Sequence, residues 1–541
     1  MSKDPELLYA LPVDQVRALE ACALQGLKRP GEFGSGELGS GELGLGELGF
    51  GQLMEHAAAG LAAVVVRHLV ARAGRLYGTR VLLLVGSGDN GGDTLLAGAR
   101  LARRGVAVTA VQLGSAVHSV GATALAAAGG RWVPLAQVDR ALASADLVLD
   151  GIVGIGSSGA LRPTAADVVS AIPPTALVVA VDLPSGVDAD TGDVPGTAVR
   201  ADVTVCFGVL KPGLLVDPGA RHAGIVELVD IGLPDVSPSG VVEVLTVRGA
   251  AARFPVPGAN SDKYRRGVVG VLAGSGQYPG AAVLATTAAS RAGAGMVRFA
   301  GPAAAADGVR AARPEVLVTA LGGSRADEVL NIGRVQAWVA GPGIGSEPVA
   351  SGWVQRLLDT PEPLLLDADG IAAAGKAGLA RRGAVGLPTL LTPHAGELAR
   401  LLGLRRDAVE ASPLRHARQA AAELGVHVLL KGSATIVAAP DGTVRANRTG
   451  TSWLATAGSG DVLAGVCGTL LAAGLGCLDA GSLGAWLHGL AARLASGGVP
   501  PHDAVRGPRL DITGPGAPVV GMAVADALPA AVRWLLAEGS R

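Results

Sequence analysis

Two short segments of this chain place carboxylates where glycines end one apolar run and open a helix. The first is Val85-Gly-Ser-Gly-Asp89-Asn90-Gly91-Gly92-Asp93-Thr94, directly after TRVLLLV (79–85). Glycines there let the backbone approach a phosphate, and a helix N-terminus supplies N–H donors that lack intrahelical partners. The second is Thr456-Ala-Gly-Ser-Gly460-Asp461-Val-Leu-Ala-Gly465. A carboxylate at such a helix start can take a proton from a hydroxyl while the N–H groups hold phosphoryl charge. The blander possibilities are a tight turn and a helix cap.

Other residues fall at matching places. Asp150 ends DLVLD ahead of GIVGIGSSGALRP, and Asp182 ends ALVVAVD (176–182) ahead of LPSGVDADTG. Ligands gather at the carboxyl ends of parallel strands, so both carboxylates are expected to converge on the first glycine loop rather than merely cap turns. In the second half His394 lies in TPHAGE, and Lys431 follows VHVLL and opens KGSAT. A ligand contact is expected for His394 and a phosphate partner for Lys431. His488, on an apolar helix, is expected to be structural.

These residues need a scaffold, and the apolar runs supply it. TRVLLLV, VAVTAVQL, DLVLD and ALVVAVD alternate with helical stretches, which implies a parallel sheet covered on both faces. Composition changes around PDVSPSG (234–240), and the rhythm restarts with GVVGVLAG, VQAWVAG, PLLLDAD, TLLTP and VHVLLKG. The expectation is an α/β chain of two doubly wound domains, 1–245 and 246–541. Residues 31–55 carry a tandem pentapeptide, GEFGS-GELGS-GELGL-GELGF-GQLME. Glycine at every fifth position argues against a stable helix, and a flexible surface insertion is expected.

Composition narrows the classes of function. With 49% hydrophobic and 17% charged residues the chain reads as globular. Its 45 basic and 46 acidic side chains leave no electrostatic footprint for nucleic acid. Four widely spaced cysteines without a CxxC pair suit a reduced, cytoplasmic protein. The start MSKDPELLYALPVD lacks the basic and then apolar residues of a signal peptide. The uncharged stretches 268–290 and 462–478 are interrupted by glycines, so no membrane association is expected.

LMEHAAAG, GSGDNGGD, DGIVGIGSSG, VDLPSGVDADTG and ADVTVCFG…KPG together resemble the NAD(P)H-hydrate epimerase family over about residues 13–234. The resemblance implies a Rossmann-like three-layer sandwich. It implies that Asp89, Asn90, Gly91, Gly92 and Asp93 hold the dinucleotide with the loop Gly154, Ile155, Gly156, Ser157, Ser158, Gly159 and Ala160. Asn90, Asp150 and Ser185 would bind potassium, and Asp182 would contact substrate and transfer the proton. The family's usual loop reads Asn-Asn-Gly-Gly-Asp-Gly, so Asp89 and Thr94 are departures.

KYRRG, GSGQYPGAAVLATTAASRAGAG, RPEV, GPGIG, LDADG, TPHAGE, LLKGSAT and WLHGLA accompany the GSGD segment. That set resembles the ribokinase-like superfamily and, within it, the NAD(P)H-hydrate dehydratases, over about residues 258–535. It implies nucleotide binding by Lys431, Gly432, Ser433, Ala434, Thr435 and Gly460. The hydrated dinucleotide would lie against Ala281, Gly343, His394 and Asp461, with Asp461 as base. The two resemblances imply a bifunctional repair enzyme for hydrated NADH and NADPH that uses ADP with Mg²⁺. They also imply a homo-oligomer, tetramer or larger. A small-molecule kinase shares the anion hole, and the N-terminal half could instead be a non-catalytic binding module. TPHAGE with KGSAT speaks against the first, and Asp150, Asp182 and Ser185 against the second.

Overall fold

The computed structural model of the chain describes residues 6–25, 43–234, 241–323, 325–497, 509–510 and 516–539. It divides into two compact units, one of Tyr9–Val241 with Arg506–Asp511, the other of Met1–Leu8, Val242–Val505 and Ile512–Arg541.

In the first unit the long apolar runs become strands buried along nearly their whole length, as a sheet covered on both faces demands. Together with shorter or less buried strands they pair in parallel, from Ile225–Val229 through Val203–Phe207, Leu177–Val181, Leu147–Gly151, Arg80–Val85 and Ala107–Gln112 to Arg131–Trp132. The short strand Arg509–Leu510 adds antiparallel at the Ile225–Val229 edge. Chain order therefore reverses between Arg80–Val85 and Leu147–Gly151, the topological switch point at which such folds bind ligands. Side chains alternate across this sheet. Val81, Leu83 and Val85 join one core, and Leu82 and Leu84 join another on the opposite face. The result is a Rossmann-like three-layer sandwich.

The helix Leu43–Ala73 corrects the expectation for the pentapeptide repeat. Residues 31–42 lie outside the described residues, but residues 43–55 are helical. Met54, Ala57, Ala58, Leu61, Val65 and Leu69 recur on one buried face and nucleate the helix. Extending it through each glycine then costs only about 1 kcal/mol, since nucleation is the expensive step. Gly51–Ala73 is also long and apolar enough to cross a membrane by length and composition alone. In this fold Arg67 and His68 on that helix pair with the buried carboxylate of Glu227.

The second unit repeats the reversal. Its eleven-stranded sheet runs parallel from Leu317–Ala320 through Met296–Gly301, Val268–Leu272, Ala337–Ala340, Leu364–Leu366 and Thr389–Leu391 to His427–Leu430. Thr435–Ala438 and Val444–Asn447 continue it antiparallel, and Val242–Leu245 and Leu7–Ala10 complete the edge. Val269 and Val271 belong to one large core with the helices Pro279–Arg291, Ser459–Ala472, Cys477–Ala495 and Gly521–Gly539. This is the ribokinase-like half.

Candidate active sites

At the switch point of the first unit the strand Arg80–Val85 ends and the helix Asp89–Ala102 begins on Gly88, with no side chain capping it. Asp89 is exposed, whereas Asn90 through Asp93 are buried. Thr94 is fully buried, donates to the Asn90 carbonyl at 2.7 Å, and leaves no room for a Cβ on Gly151. The Gly154–Ala160 loop adjoins this turn, since a Cβ on Gly154 would stand 3.3 Å from that of Asn90.

Asp150, fully buried, accepts from Ser185 Oγ at 2.7 Å and from Ser185 N at 2.8 Å. Burial pushes its carboxyl up to about 6, against the Ser185 hydrogen bonds. Asn90 Nδ2 donates to the Val153 carbonyl at 2.9 Å, and Ser185 Oγ lies 3.3 Å from the same oxygen. Asn90, Asp150 and Ser185 are thus brought together around Val153, a cluster rich in oxygen that suits a hard cation.

Asp182 adopts φ +63°, a left-handed conformation that aspartate tolerates better than most residues. Its Oδ1 accepts from Lys211 Nζ at 2.5 Å and Phe207 N at 3.1 Å. Lys211 is 1% exposed. Burial opposes its charge, but the Asp182 carboxylate more than restores it, and the ammonium is held above its usual range. Asp93 stands opposite in character. Burial first, then the carboxylates of Asp182, Asp89 and Glu20, hold its carboxyl well above the usual range. Lys211 and Glu20 were not among the sequence-derived candidates. The KPG following a buried strand pointed to the lysine, while nothing local marks Glu20.

In the second unit KGSAT forms the turn between His427–Leu430 and Thr435–Ala438. Lys431 Nζ bonds Asp367 Oδ1 at 2.7 Å and lies 3.9 Å from Glu397. Gly460 comes up to this pair, because a Cβ there would stand 3.4 Å from Lys431 Nζ. Asp461 occupies the third position of the helix Ser459–Ala472, whose start at Gly458 has no side-chain cap. The cap explanation for Asp461 therefore fails. Burial, then the Asp367 charge, push its carboxyl up to about 7, with Lys431 opposing.

Ala281 and Gly343 meet where chain order reverses, a Cβ on Gly343 falling 2.7 Å from that of Ala281. Leu284 on the Ala281 helix touches the Gly458 turn, where a Cβ would lie 2.4 Å from its Cδ1. His394 is the cap of the helix Ala395–Leu402, its Nδ1 accepting from Gly396 and Glu397 N–H groups at 3.0 and 3.2 Å. His488 is buried, its ring pushed down to about 4 by burial, and its Nε2 has no partner. Asp367 was missed as a site residue although LDADG was noticed. Its bond to Lys431 reaches across the end of the intervening strand Thr389–Leu391, a proximity that only the sheet order reveals.

Comparison with known proteins covers both halves of the chain. A family model described as NAD(P)H-hydrate dehydratase matches residues 269–500, and one described as YjeF-related protein N-terminus matches residues 51–213. The bifunctional NAD(P)H-hydrate repair enzyme Nnr of Mycobacterium leprae (strain TN) is 47% identical over 458 residues, 83% of this chain and 91% of that protein. Its counterpart in Mycobacterium tuberculosis (strain CDC 1551 / Oshkosh) is 49% identical over 430 residues, 78% and 85% of the two chains. Among solved structures, the ADP/ATP-dependent NAD(P)H-hydrate dehydratase of Bacillus subtilis aligns at 28% identity and TM-score 0.45, over 54% of this chain and 97% of that one. On identity and coverage along both halves, the chain belongs to the family of bifunctional NAD(P)H-hydrate repair enzymes.

Proposed function

We infer that the chain repairs hydrated NADH and NADPH, interconverting the R and S hydrates in its first unit and dehydrating the S hydrate at the expense of ADP in its second. The observation that carries this reading is the uncapped helix start beside Lys431, where Asp461 stands free to act on a substrate hydroxyl. Asp461 takes the proton of the ring hydroxyl as that oxygen attacks the β-phosphorus of ADP, and AMP leaves. Phosphate then departs from carbon with the bonding pair more readily than hydroxide would, and loss of a proton from the neighbouring ring carbon to water restores the reduced ring. Lys431 and the Gly460 backbone steady the nucleotide, with Gly432, Ser433, Ala434 and Thr435 forming the turn beneath it. Asp367 and Glu397 near Lys431 are hard oxygen donors that suit the Mg²⁺ accompanying ADP.

In the first unit Asp182 is the proton-transfer residue. Asn90, Asp150 and Ser185 would hold potassium, whose charge would fix the Val153 turn beside the substrate. Ala281, Gly343 and His394 would border the hydrated ring in the second. The active form we propose is a homo-oligomer in the cytoplasm. Purified protein mixed with each hydrate epimer and ADP, followed by absorbance of reduced nicotinamide, tests the whole reading. Recovery from both epimers with release of AMP and phosphate supports it. Accumulation of a stable phosphorylated product would favour a small-molecule kinase instead.

A further inference from the structure

We propose that Asp93 is a catalytic acid working against Asp182, giving a proton to the ring nitrogen of the hydrated nicotinamide while Asp182 takes one from its hydroxyl. The proposal rests on the epimerase reading of the first unit.

The geometry sets the two carboxyls apart. Asp182 is locked by the buried Lys211 ammonium and the Phe207 N–H, both on Oδ1, at a backbone conformation few residues accept. That arrangement puts a charged donor and a backbone donor on one carboxylate oxygen, a charge-assisted pair. Asp93 is 8% exposed, and its Oδ1 is buried without any hydrogen-bond partner. The charged groups bearing on it are Asp89 from its own helix, Glu20 from the helix Val13–Gln25, and Asp182. Lys211 is committed to Asp182, and Arg17 bears on Glu20. His118 lies against Gly92, its Nδ1 accepting from Gly121 N at 3.2 Å. An orphaned carboxyl among carboxylates keeps its proton. Two carboxyls that bear on each other thus stand in opposed surroundings, one paired with an ammonium and the other orphaned, which is how an acid and a base are assigned.

The substrate chemistry requires that pair. Water adds to a dihydropyridine enamine at the carbon beside nitrogen, so the hydrate is a hemiaminal. Asp182 removes the hydroxyl proton, the carbon–nitrogen bond breaks, and its electron pair goes to nitrogen, which takes the Asp93 proton. The hydroxyl-bearing carbon is now an aldehyde, free to turn its other face. Closure runs in reverse. Nitrogen attacks the aldehyde and returns its proton to Asp93, and Asp182 reprotonates the oxygen. Nothing is oxidised or reduced, and no co-reactant is consumed.

The test follows early rates on separated epimers with the full-length protein. Asp93→Asn should lower kcat for R-to-S conversion by at least about 100-fold while KM stays within about threefold, because an amide cannot transfer the proton. Its melting temperature should hold or rise, since a crowded carboxyl has been removed. Asp89→Asn gives a second reading in the position of the pH profile, whatever it does to the rate. Removing that charge makes Asp93 a stronger acid, so the alkaline limb of the pH profile should move to lower pH. Asp93→Asn within about threefold of the parent kcat, or an unmoved alkaline limb in Asp89→Asn, overturns the proposal. If the parent itself fails to interconvert the epimers, the epimerase reading falls and the proposal with it. That result is told apart from the others because it precedes any substitution.

Discussion

Lys431 Nζ and Thr392 Oγ1 meet on one oxygen of Asp367, at 2.7 and 2.8 Å, in the pocket that holds Asp461. The same carboxylate is, after burial, what raises the Asp461 carboxyl. Asp367 therefore fixes the lysine and tunes the base together. Asp367→Asn should raise KM for ADP as the lysine loses its anchor. It should also move the acid limb of the dehydratase pH profile to lower pH, because a negative neighbour has gone. An unchanged acid limb would show that Asp367 does not face the base.

Asp461→Asn should cost about 10²- to 10⁴-fold in ADP-dependent recovery of NADH while circular dichroism stays the same. In the parent the sign follows from a carboxyl near 7 that must be ionised to act. Activity should rise with pH through neutrality and fall about tenfold per unit well below it. A rate flat between pH 5 and pH 8 would remove Asp461 as the base.

For Asp182 the asparagine variant is the informative one. Asp182→Ala leaves the Lys211 ammonium buried and unpaired, which should destabilise the unit by about 3–5 kcal/mol. Asp182→Asn keeps an acceptor for Lys211 and tolerates the left-handed backbone. It should slow repair of the R hydrate at early times and leave the S hydrate untouched. Equal early rates on R in parent and variant would clear Asp182 of the chemistry.

Potassium should raise the epimerase rate, and sodium should do so less well. Asp150→Ala should abolish the difference between the ions by removing the carboxylate from the Asn90 and Ser185 cluster. Indifference of the parent to both ions, measured at constant ionic strength, would count against a cation there.

Sequence alone carried the strands far, because runs such as Arg80–Val85 and Leu177–Val181 are apolar throughout and have one plausible place in an α/β sheet. Asn90, Asp150 and Ser185 come together as a set through the family resemblance and not through their spacing, since they belong to three different strand ends. The residues that escaped are those whose meaning depends on a distant partner. Lys211 matters because it neutralises Asp182, 29 positions away, and Asp367 because it meets Lys431, 64 positions away. The TPHAGE motif gives no sign that the His394 imidazole also caps its own helix. The helix through the end of the glycine repeat was hidden because local propensity argued one way and the buried face downstream argued the other.

The strand Leu7–Ala10 stands at the edge of the eleven-stranded sheet beside Val242–Leu245, and Thr246 donates to the Glu6 carbonyl from both N and Oγ1 across 240 positions of sequence. During synthesis this strand leaves the ribosome with its neighbour still untranslated, so the sheet cannot close until the whole first unit has been made. Anyone separating the two activities by cutting at the start of the second unit would discard that strand with the wrong fragment. The shortened piece would present Val242–Leu245 as a bare edge, prone to pair with another copy of itself. A dehydratase fragment meant to stay monodisperse must therefore carry residues 6–10 on a linker back to that edge.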